Sequence, residues 1–483
     1  MTAAPGRAPR GPTLLQDALV TIVTRFGLAV LIFSTDIVLA HLLGPSAKGR
    51  FTLVLLFSQL AALVVGWGMD SALGVVAGRD TRSARAGFAN AVIWSAVVGG
   101  FAVVISGWLY GLPTDVRPRG PLTVVIPNLS AAQFTYAALA IPGELFFSVG
   151  LFALLGRRRI AAYSGIRLLR RLVLLAGIVV VAVVPAAHLS LDVVLVINIA
   201  ALVLTAGAIA WSARQDGVAS LRPSPMLLRE ELGFGNRVIL GTLAERLQFR
   251  ADAFIVNAYH GVRQTGVYSV TSGLAETLWY VPNALGTVMF SRTVDPKADA
   301  GRIAAVLTRT TIAVAVVTAI PAFALGPRLV RLVYGTQFTD AGVALRLILP
   351  GIVAYSVVAV LSRYIVGRGR PGIGTFVLVS GLALNVAANL ILVPRFGING
   401  AAASSSISYG LTALLTLAVF RRLSGRGVAE TLIIRRSDLR ALWAVLGAIV
   451  GRLRGRRTGP FGLRGGDTAA ELVLGEREPG EER

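Results

Sequence analysis

Charged residues interrupt a segment that is otherwise apolar enough to cross a membrane. The segment runs from 227 to 290, and Glu245, Arg246, Arg250, Asp252 and Glu276 are among its charged residues. Charged groups at membrane depth are costly, so they normally face a bundle interior or a watery cavity. A guanidinium group never loses its charge and makes planar, bidentate contacts with phosphate-like anions. This segment is therefore the first candidate for a functional site.

The spacing of these charges predicts two polar stripes on one helix. Arg246 and Arg250 are four residues apart, which places them on one helix face about 6 Å apart. Glu245 and Asp252 are seven residues apart and share a neighbouring face. Near the N-terminus, Arg25 lies eleven residues before an aspartate, Asp36. Eleven residues are about three helical turns, so those two side chains also return to one face.

The composition predicts that helices crossing a membrane position these charges. The chain has 483 residues, of which 55% are hydrophobic and only 15% charged, and its mean hydropathy is +0.72. A soluble protein of this size is less apolar and more charged. Apolar runs near the bilayer-spanning length recur along the whole chain, which predicts an all-α, polytopic membrane protein.

The net charge of +23 has a membrane explanation. Lys and Arg are enriched in cytoplasmic loops, where anionic lipid also attracts them. No basic stripe with interleaved aromatic residues is present, so nucleic acid is not expected as a partner.

Several chemistries are excluded or disfavoured by residue types. The chain has no cysteine, which excludes disulfides and thiolate chemistry. Neither Lys48 nor Lys297 follows a Gly-rich phosphate-binding loop. His41, His188 and His260 lack metal-ligand spacing. No nucleophile–base pair and no catalytic carboxylate pair is apparent, so an enzyme is not expected, and neither a metal nor a cofactor is predicted.

Twelve membrane spans can be drawn, separated by Gly and Pro turns. They lie near 14–42, 51–77, 87–111, 124–155, 161–184, 191–213, 231–259, 266–290, 303–325, 341–366, 372–393 and 399–421. The predicted organisation is an N-terminal six-helix lobe (1–213), a linker (214–229), a C-terminal six-helix lobe (230–421) and a basic tail (422–483) that is expected to be disordered. The distribution of Lys and Arg predicts that the linker, the tail and both termini are cytoplasmic.

The two predicted lobes share an internal repeat. The matched positions are Asp36 with Asp252, Gly44 with Gly261, Gly49 with Gly266, and Phe51 with Tyr268. A six-span unit used twice keeps its membrane orientation, so an axis along the membrane normal would relate the copies. Secondary transporters with this arrangement hold a midplane site between the halves.

Four sequence runs, in this order, resemble a known family. They are LLGPSAKGRF, FRADAFIVNAYHGVRQTGVYSV, LVYGTQF and LNVAANLILVPRFGINGAAASSSISY. The chain resembles the polysaccharide-biosynthesis flippases of the multidrug/oligosaccharidyl-lipid/polysaccharide exporter superfamily over roughly residues 14–421. The resemblance implies two six-helix bundles forming a V around a central cavity. It also implies alternating access in a bacterial cytoplasmic membrane and export of an undecaprenyl-diphosphate-linked sugar or oligosaccharide.

On this resemblance, three arginines are hypothesised to hold the diphosphate of the substrate: Arg25, Arg246 and Arg250. Asp36, Glu144, Asp252 and Glu276 would balance charge or couple transport to an ion, with Na⁺ and H⁺ both left open. Glu144 follows Pro142, which is predicted to break its helix.

The competing interpretation makes these charges buried ion pairs that fix helix packing. The two interpretations stay open for Arg246 and Arg250, and packing is favoured for Asp36, Glu144 and Asp252. Two other functions remain as alternatives. A cation-coupled drug antiporter would have a cavity dominated by carboxylates. A membrane scaffold for glycan assembly would have fully paired charges and no continuous cavity. Glycosyltransferases or a polymerase of the same pathway are further candidate partners.

Overall fold

The structure is a computed structural model that describes residues 14–112, 120–184, 189–279, 282–283 and 299–434. Every regular element in these ranges is a helix, which confirms the predicted all-α class. Within the first helix, the side chains of 14–23, 25 and 26 are outside the described part. The predicted tail falls outside it from residue 435 onward.

Nine helices precede residue 280 among the described residues. They are α1 (Leu14–Gly66), α2 (Met69–Ala77), α3 (Thr81–Tyr110), α4 (Leu122–Val125), α5 (Ala131–Gly156), α6 (Ile160–Val183), α7 (Leu191–Gln215), α8 (Pro225–Gln248) and α9 (Ala251–Thr277). The described residues after 298 form α10 (Ala300–Tyr334), a 3-10 turn (Thr336–Phe338), α11 (Thr339–Gly367), α12 (Pro371–Ser424) and α13 (Val428–Leu432).

By packing, the chain forms two compact units. The first comprises Met1–Val270 with Val330–Thr339, and the second comprises Thr271–Leu329 with Asp340–Arg483. Helix α8 belongs to the first unit because it packs against α1, α2 and α3. The lobes of 1–213 and 230–421 follow topology rather than packing, and they stay a prediction.

Seven helices of the described part are long and apolar enough to cross a membrane. Two of them, Gly27–Gly66 and Pro371–Ser424, have 40 and 54 residues. A 54-residue helix would be about 81 Å long, against a hydrocarbon core of about 30 Å. Each must therefore contain two crossings. The chain is a multi-pass membrane protein.

The long helices fold back on themselves at glycines. Gly44 (φ 71°, ψ 178°) divides α1, and Gly397 (φ 56°, ψ −134°) divides α12. Gly261 (φ 75°, ψ −179°) divides α9 in the same conformation as Gly44. Residues with a Cβ rarely adopt these positive φ values, whereas glycine does so at little cost. The matching conformations of Gly44 and Gly261 are what the predicted repeat requires.

Helices α6, α8 and α9 are absent from the set of seven because they carry too many polar and charged residues. In α6, Arg167, Arg170 and Arg171 interrupt the apolar sequence. Charged groups at membrane depth avoid lipid. Such helices are therefore expected to turn their polar faces toward a cavity inside the protein.

Two predicted spans are broken where continuous helices were expected. The span at 51–77 is interrupted at Trp67 (φ 49°) and Gly68 (φ 74°), so α2 starts anew at Met69. The span at 231–259 is interrupted at Phe249 and Arg250, between α8 and α9. The first break suits a close approach to α8, since a Cβ on Gly235 would lie 1.9 Å from the Trp67 carbonyl oxygen.

The expected break at Pro142 does not occur, because α5 runs through this residue. Gly99 of α3 faces the proline, and a Cβ there would lie 3.0 Å from Pro142 Cα. Helix α5 lies at the centre of the first unit and packs against α1, α2, α3, α6 and α7. Its position fixes the relation of α6 to α1 and α2, on which the site depends.

In the second unit, α12 folds into a hairpin that packs closely on α11. The Asn385 amide donates to Ser408 Oγ across the hairpin at 3.1 Å. Ser406 Oγ accepts from the Gly351 amide at 3.1 Å and so ties α12 to α11. A Cβ on Gly351 would lie 2.4 Å from Ser406 Cα, so glycine is required for this approach.

Candidate functional site

A cavity of about 390 Å³ lies inside the first unit, lined by α1, α2, α5, α6, α8 and Arg250. Its charged lining residues are Arg167, Arg170, Arg171, Arg246, Arg250, Asp70 and Glu144. Five guanidinium groups and two carboxylates thus line the cavity, so its lining side chains carry three more positive than negative charges. Apolar side chains of α1, such as Leu28 and Ile32, complete the wall.

Helix α6 supplies three of the five arginines on one face. Arg167, Arg170 and Arg171 stand at i, i+3 and i+4, a spacing that brings side chains together on a helix. Arg167 donates to Tyr163 Oη at 3.3 Å. Its guanidinium lies 5.3 Å from the centroid of the same ring. This contact orients Arg167 along the helix without neutralising its charge.

Arg170 is neutralised by Glu144. The Arg170 Nη1 atom donates to Glu144 Oε2 at 2.9 Å, and Nη2 donates to Oε1 in a second bond. Both residues are buried, and Arg170 also lies 4.6 Å from the centroid of the Phe147 ring. The fork-shaped pairing of guanidinium with carboxylate is the strong form of this interaction. It ties α6 to α5.

Asp70, the second cavity carboxylate, is held by neutral donors. Its Oδ1 accepts from the Ser71 amide at 2.6 Å, and its Oδ2 accepts from Ser148 Oγ at 3.1 Å. It stands in the first turn of α2, where the helix dipole stabilises negative charge. No arginine ion pair involves Asp70 among the described residues, so the excess positive charge of the cavity is not cancelled there.

Arg246 and Arg250 both line the cavity, although they do not share a continuous helix as the spacing predicted. Helix α8 ends at Gln248, and the Phe249 and Arg250 amides donate to the Arg246 and Leu247 carbonyls at 3.3 and 3.1 Å. These i→i+3 bonds form a tight turn that directs Arg250 into the same cavity. Arg246 is exposed and makes no ion pair with any described residue.

The other predicted site residues have different positions. The backbone of Arg25 lies in α1, and its side chain is outside the described part. Asp36 is absent from the cavity lining and pairs with Lys48 Nζ at 2.6 Å. Lys48 is buried and also donates to Ser269 Oγ at 2.8 Å. This arrangement favours a packing role for Asp36, and Lys48 was missed as its partner.

Asp252 and Glu276 are likewise absent from the lining of this cavity. Asp252 is buried, accepts a short hydrogen bond from Tyr268 Oη, and accepts from the Ala253 amide at 2.9 Å. It therefore bridges the two arms of α9, as Asp36 and Lys48 bridge the two arms of α1. Glu276 belongs to the second unit.

The sequence did carry a signal for the arginines of α6. The run IRLLRRL sets three guanidinium groups into a predicted span at helical spacing, and the run ERLQFR sets two into another predicted span. Asp70 carried a weaker signal, because a single carboxylate near a span end has many structural uses. Glu144 was predicted to face the cavity or to pair with Arg25; it lines the cavity, and it pairs with Arg170.

The long apolar helices and the arginine-rich cavity between them define the class as a polytopic membrane protein with a cationic cavity. Two family models match the chain in overlapping segments. The model described as lipid II flippase MurJ matches residues 284–462, and the model described as polysaccharide biosynthesis protein matches residues 134–342. The predicted resemblance to polysaccharide-biosynthesis flippases is thereby confirmed.

One relative of this chain is also named as a flippase. The chain is 22% identical over 295 residues to the probable low-salt glycan biosynthesis flippase Agl15 of Haloferax volcanii. The match covers 58% of this chain and 59% of the relative.

Solved structures share the fold. Lipid II flippase MurJ in an inward closed conformation aligns with a TM-score of 0.67 at 12% identity, over 89% of this chain and 92% of that one. An inward-facing multidrug resistance MATE family transporter of the MOP superfamily aligns with a TM-score of 0.62 at 16% identity, over 84% of this chain and 98% of that one. At these identities the likeness shows the fold alone.

Proposed function

We propose that this protein is a flippase that moves an undecaprenyl-diphosphate-linked sugar or oligosaccharide across a bacterial cytoplasmic membrane by alternating access. The observation that carries the proposal is the excess of guanidinium groups in the first-unit cavity. A diphosphate brings negative charge and several acceptor oxygens, which arginine matches with paired N–H donors.

The arginines of the cavity would have different roles, some binding the diphosphate and one shaping the cavity wall. The α8 side of the cavity carries Arg246 and Arg250, and the α6 side carries Arg167 and Arg171. An anion between the two sides could therefore be bound by arginines from both. Arg170 is already paired with Glu144 and would instead shape the wall. Arg25 stays a candidate for the same clamp. Asp36, Asp252 and Glu276 stay candidates for charge balance or ion coupling.

The names of the relatives support this substrate class. One matching family model is described as a lipid II flippase, and the Haloferax volcanii relative is named as a probable glycan biosynthesis flippase. A cation-coupled drug antiporter fits less well, because cationic substrates favour a carboxylate-rich cavity. A non-transporting scaffold fits less well, because Arg246 is left exposed in an open cavity rather than paired.

The proposed transport also implies a chemistry, a coupling ion, a membrane topology and a set of partners. No bond is made or broken and no cofactor is needed, so the protein is proposed not to be an enzyme. Either Na⁺ or H⁺ would supply the coupling energy. Both termini would be cytoplasmic. Glycosyltransferases or a polymerase of a cell-surface polysaccharide pathway would be its neighbours.

A flipping assay tests the proposal. The full-length protein is placed in vesicles with a fluorescent undecaprenyl-diphosphate sugar, and the fraction protected from an external quencher is followed over time. Arg246→Gln combined with Arg250→Gln should slow flipping at least about tenfold, because each lost charge-assisted hydrogen bond is worth about 1.5–3 kcal/mol. Arg237→Gln is the matched control, since Arg237 is also on α8, is exposed, and does not line the cavity.

The proposal fails if the double variant flips the lipid at the wild-type rate. It also fails if Arg237→Gln slows flipping equally, because the effect would then come from surface charge. Uptake of a cationic dye by the wild-type protein, without flipping of the lipid, would instead support the antiporter.

A further inference from the structure

A second cavity, of about 480 Å³, opens between α3, α5 and α7 and shares no lining residue with the first. Most of its lining is apolar. Phe88 of α3 and Phe146 of α5 meet edge to face, with ring centroids 6.1 Å apart, and Val92 extends this apolar surface. This second cavity is called the α7 groove below.

One face of α7 forms a wall of the α7 groove. The residues are Gly207, Ala210, Trp211 and Arg214, which stand at i, i+3, i+4 and i+7. Apart from the adjoining backbone of α7, no atom lies within 4 Å of where a Cβ on Gly207 would be, so the groove is open at this point. The four residues span about 10 Å along the helix. Trp211 is 63% exposed, as expected of an aromatic side chain at a membrane surface.

The α7 groove ends at an unpaired cation. Arg214 is exposed and makes no ion pair with the residues that the structure describes. The carboxylate nearest in sequence, Asp216, is already engaged by Arg157 Nε at 2.8 Å and Arg159 at 3.0 Å. The guanidinium of Arg214 is therefore available to an external anion.

Hydrogen bonds hold the loop of residues 216–221, which follows α7, against the first unit. Arg85 Nε of α3 donates to the Gly217 carbonyl at 2.6 Å. The Val218 amide donates to the Ala213 carbonyl at 2.9 Å and folds the chain back onto α7. As a result, residues 219–221 form a fixed end wall beside the cation.

We propose that the α7 groove binds a phospholipid with a net negative headgroup, such as phosphatidylglycerol. The acyl chain would lie over Gly207, Ala210 and the Phe88–Phe146 pair, and the phosphate would contact Arg214. Basic pockets between membrane helices bind anionic headgroups, and here an apolar groove for the acyl chain ends at a cation for the phosphate. The site is independent of the transported substrate, because its lining is separate from the arginine-rich cavity.

Lipid titration of the full-length protein, followed by native mass spectrometry, tests the site. Phosphatidylglycerol should bind more tightly than phosphatidylcholine. Arg214→Gln should weaken phosphatidylglycerol binding about tenfold and remove most of the preference for it over phosphatidylcholine. Gly207→Leu should weaken binding of both lipids, because the leucine side chain would fill the α7 groove. The controls are Arg82→Gln, a cation exposed on α3, and Gly100→Leu, a glycine with equally open surroundings; neither residue lines the α7 groove.

Equal losses in Arg82→Gln and Arg214→Gln, or unchanged binding in Gly207→Leu, would mean non-specific annular lipid only and would overturn the proposal. A second measurement does not rely on Gly207→Leu folding. Phosphatidylglycerol with brominated chains should quench wild-type tryptophan fluorescence more than that of Trp211→Phe. Equal quenching in the two proteins contradicts the site.

Discussion

Gly49 and Gly266 meet backbone to backbone across the two repeats, in a contact that is nearly symmetrical. A Cβ on Gly49 would lie 1.9 Å from the Val262 carbonyl oxygen, and a Cβ on Gly266 would lie 1.9 Å from the Pro45 carbonyl oxygen. Each glycine is five residues after the hairpin glycine of its own repeat. The repeat predicted from sequence therefore coincides with a self-complementary contact within the first unit.

Substituting either of these glycines should destabilise the protein. In Gly49→Ala or Gly266→Ala the new methyl group meets a backbone carbonyl that has little room to move. The expected loss is about 2–3 kcal/mol in the free energy of unfolding. Thermal unfolding in detergent measures it, with Gly100→Ala as the control, because a Cβ there has open surroundings.

The double variant Gly49→Ala/Gly266→Ala should lose less than the sum of the single variants. Once one methyl group separates the two backbones, the second occupies space that is already open. Additive losses would contradict a shared contact.

The Asp36–Lys48 pair should respond unequally to loss of either partner. The Lys48 side chain is 3% exposed, and that of Asp36 is 28% exposed. Asp36→Asn leaves a buried cation uncompensated and should cost about 3 kcal/mol. Lys48→Met leaves a carboxylate that water can reach, so its cost should be smaller.

Joint replacement, Asp36→Asn with Lys48→Met, should recover most of the stability, as measured by the same unfolding experiment. Recovery is expected because no unpaired charge then remains. If the double variant is as unstable as Asp36→Asn alone, the pair does not act as a unit.

Glu144→Gln should raise the affinity of the cavity for a diphosphate while it weakens the packing of α5 on α6. The change frees the Arg170 guanidinium from its carboxylate partner. Calorimetric titration of the full-length protein with inorganic pyrophosphate should show about tenfold tighter binding. Glu144→Gln/Arg170→Gln restores the charge balance and should return the affinity toward wild type. Weaker binding in Glu144→Gln would contradict the proposed role of the arginine excess.

Glu231 should tolerate replacement by glutamine. It is fully buried, accepts from the Asn90 amide at 3.0 Å, and forms no ion pair with the described residues. Burying a charge without a partner is costly, so Glu231→Gln should leave the free energy of unfolding unchanged or raise it. Marked destabilisation of this variant would show that the charge of Glu231 is needed.

Asn90→Leu is the contrasting variant. The Asn90 side chain also accepts from the Ser224 amide at 3.0 Å, at the start of α8. Its removal leaves several polar groups unpaired and should cost about 2–3 kcal/mol. A loss below about 0.5 kcal/mol would contradict this role, since ordinary surface substitutions fall in that range.

Local sequence was sufficient for most of the helices and their hairpin turns, and for part of the site. The Gly44-Pro45 turn and the matching Gly261 were predicted and form hairpins, because glycine is the residue that adopts these backbone conformations at little cost. Arg246 and Arg250 are predicted site residues because they are charged inside an apolar segment, and both line a cavity. The break that separates them was missed, since nothing in Phe249 or Arg250 marks a helix end.

The sequence by itself determined the membrane class, the all-α fold, and which segments are too charged to face lipid. Only the tertiary structure decided which charges are free and which are paired. Glu144 meets Arg170 across 26 residues, and Lys48 reaches Ser269 across 221. Such pairings depend on how each helix is rotated about its axis, and packing against neighbouring helices sets that rotation. For this reason the cavity arginines could be suspected from the sequence, but their partners could not.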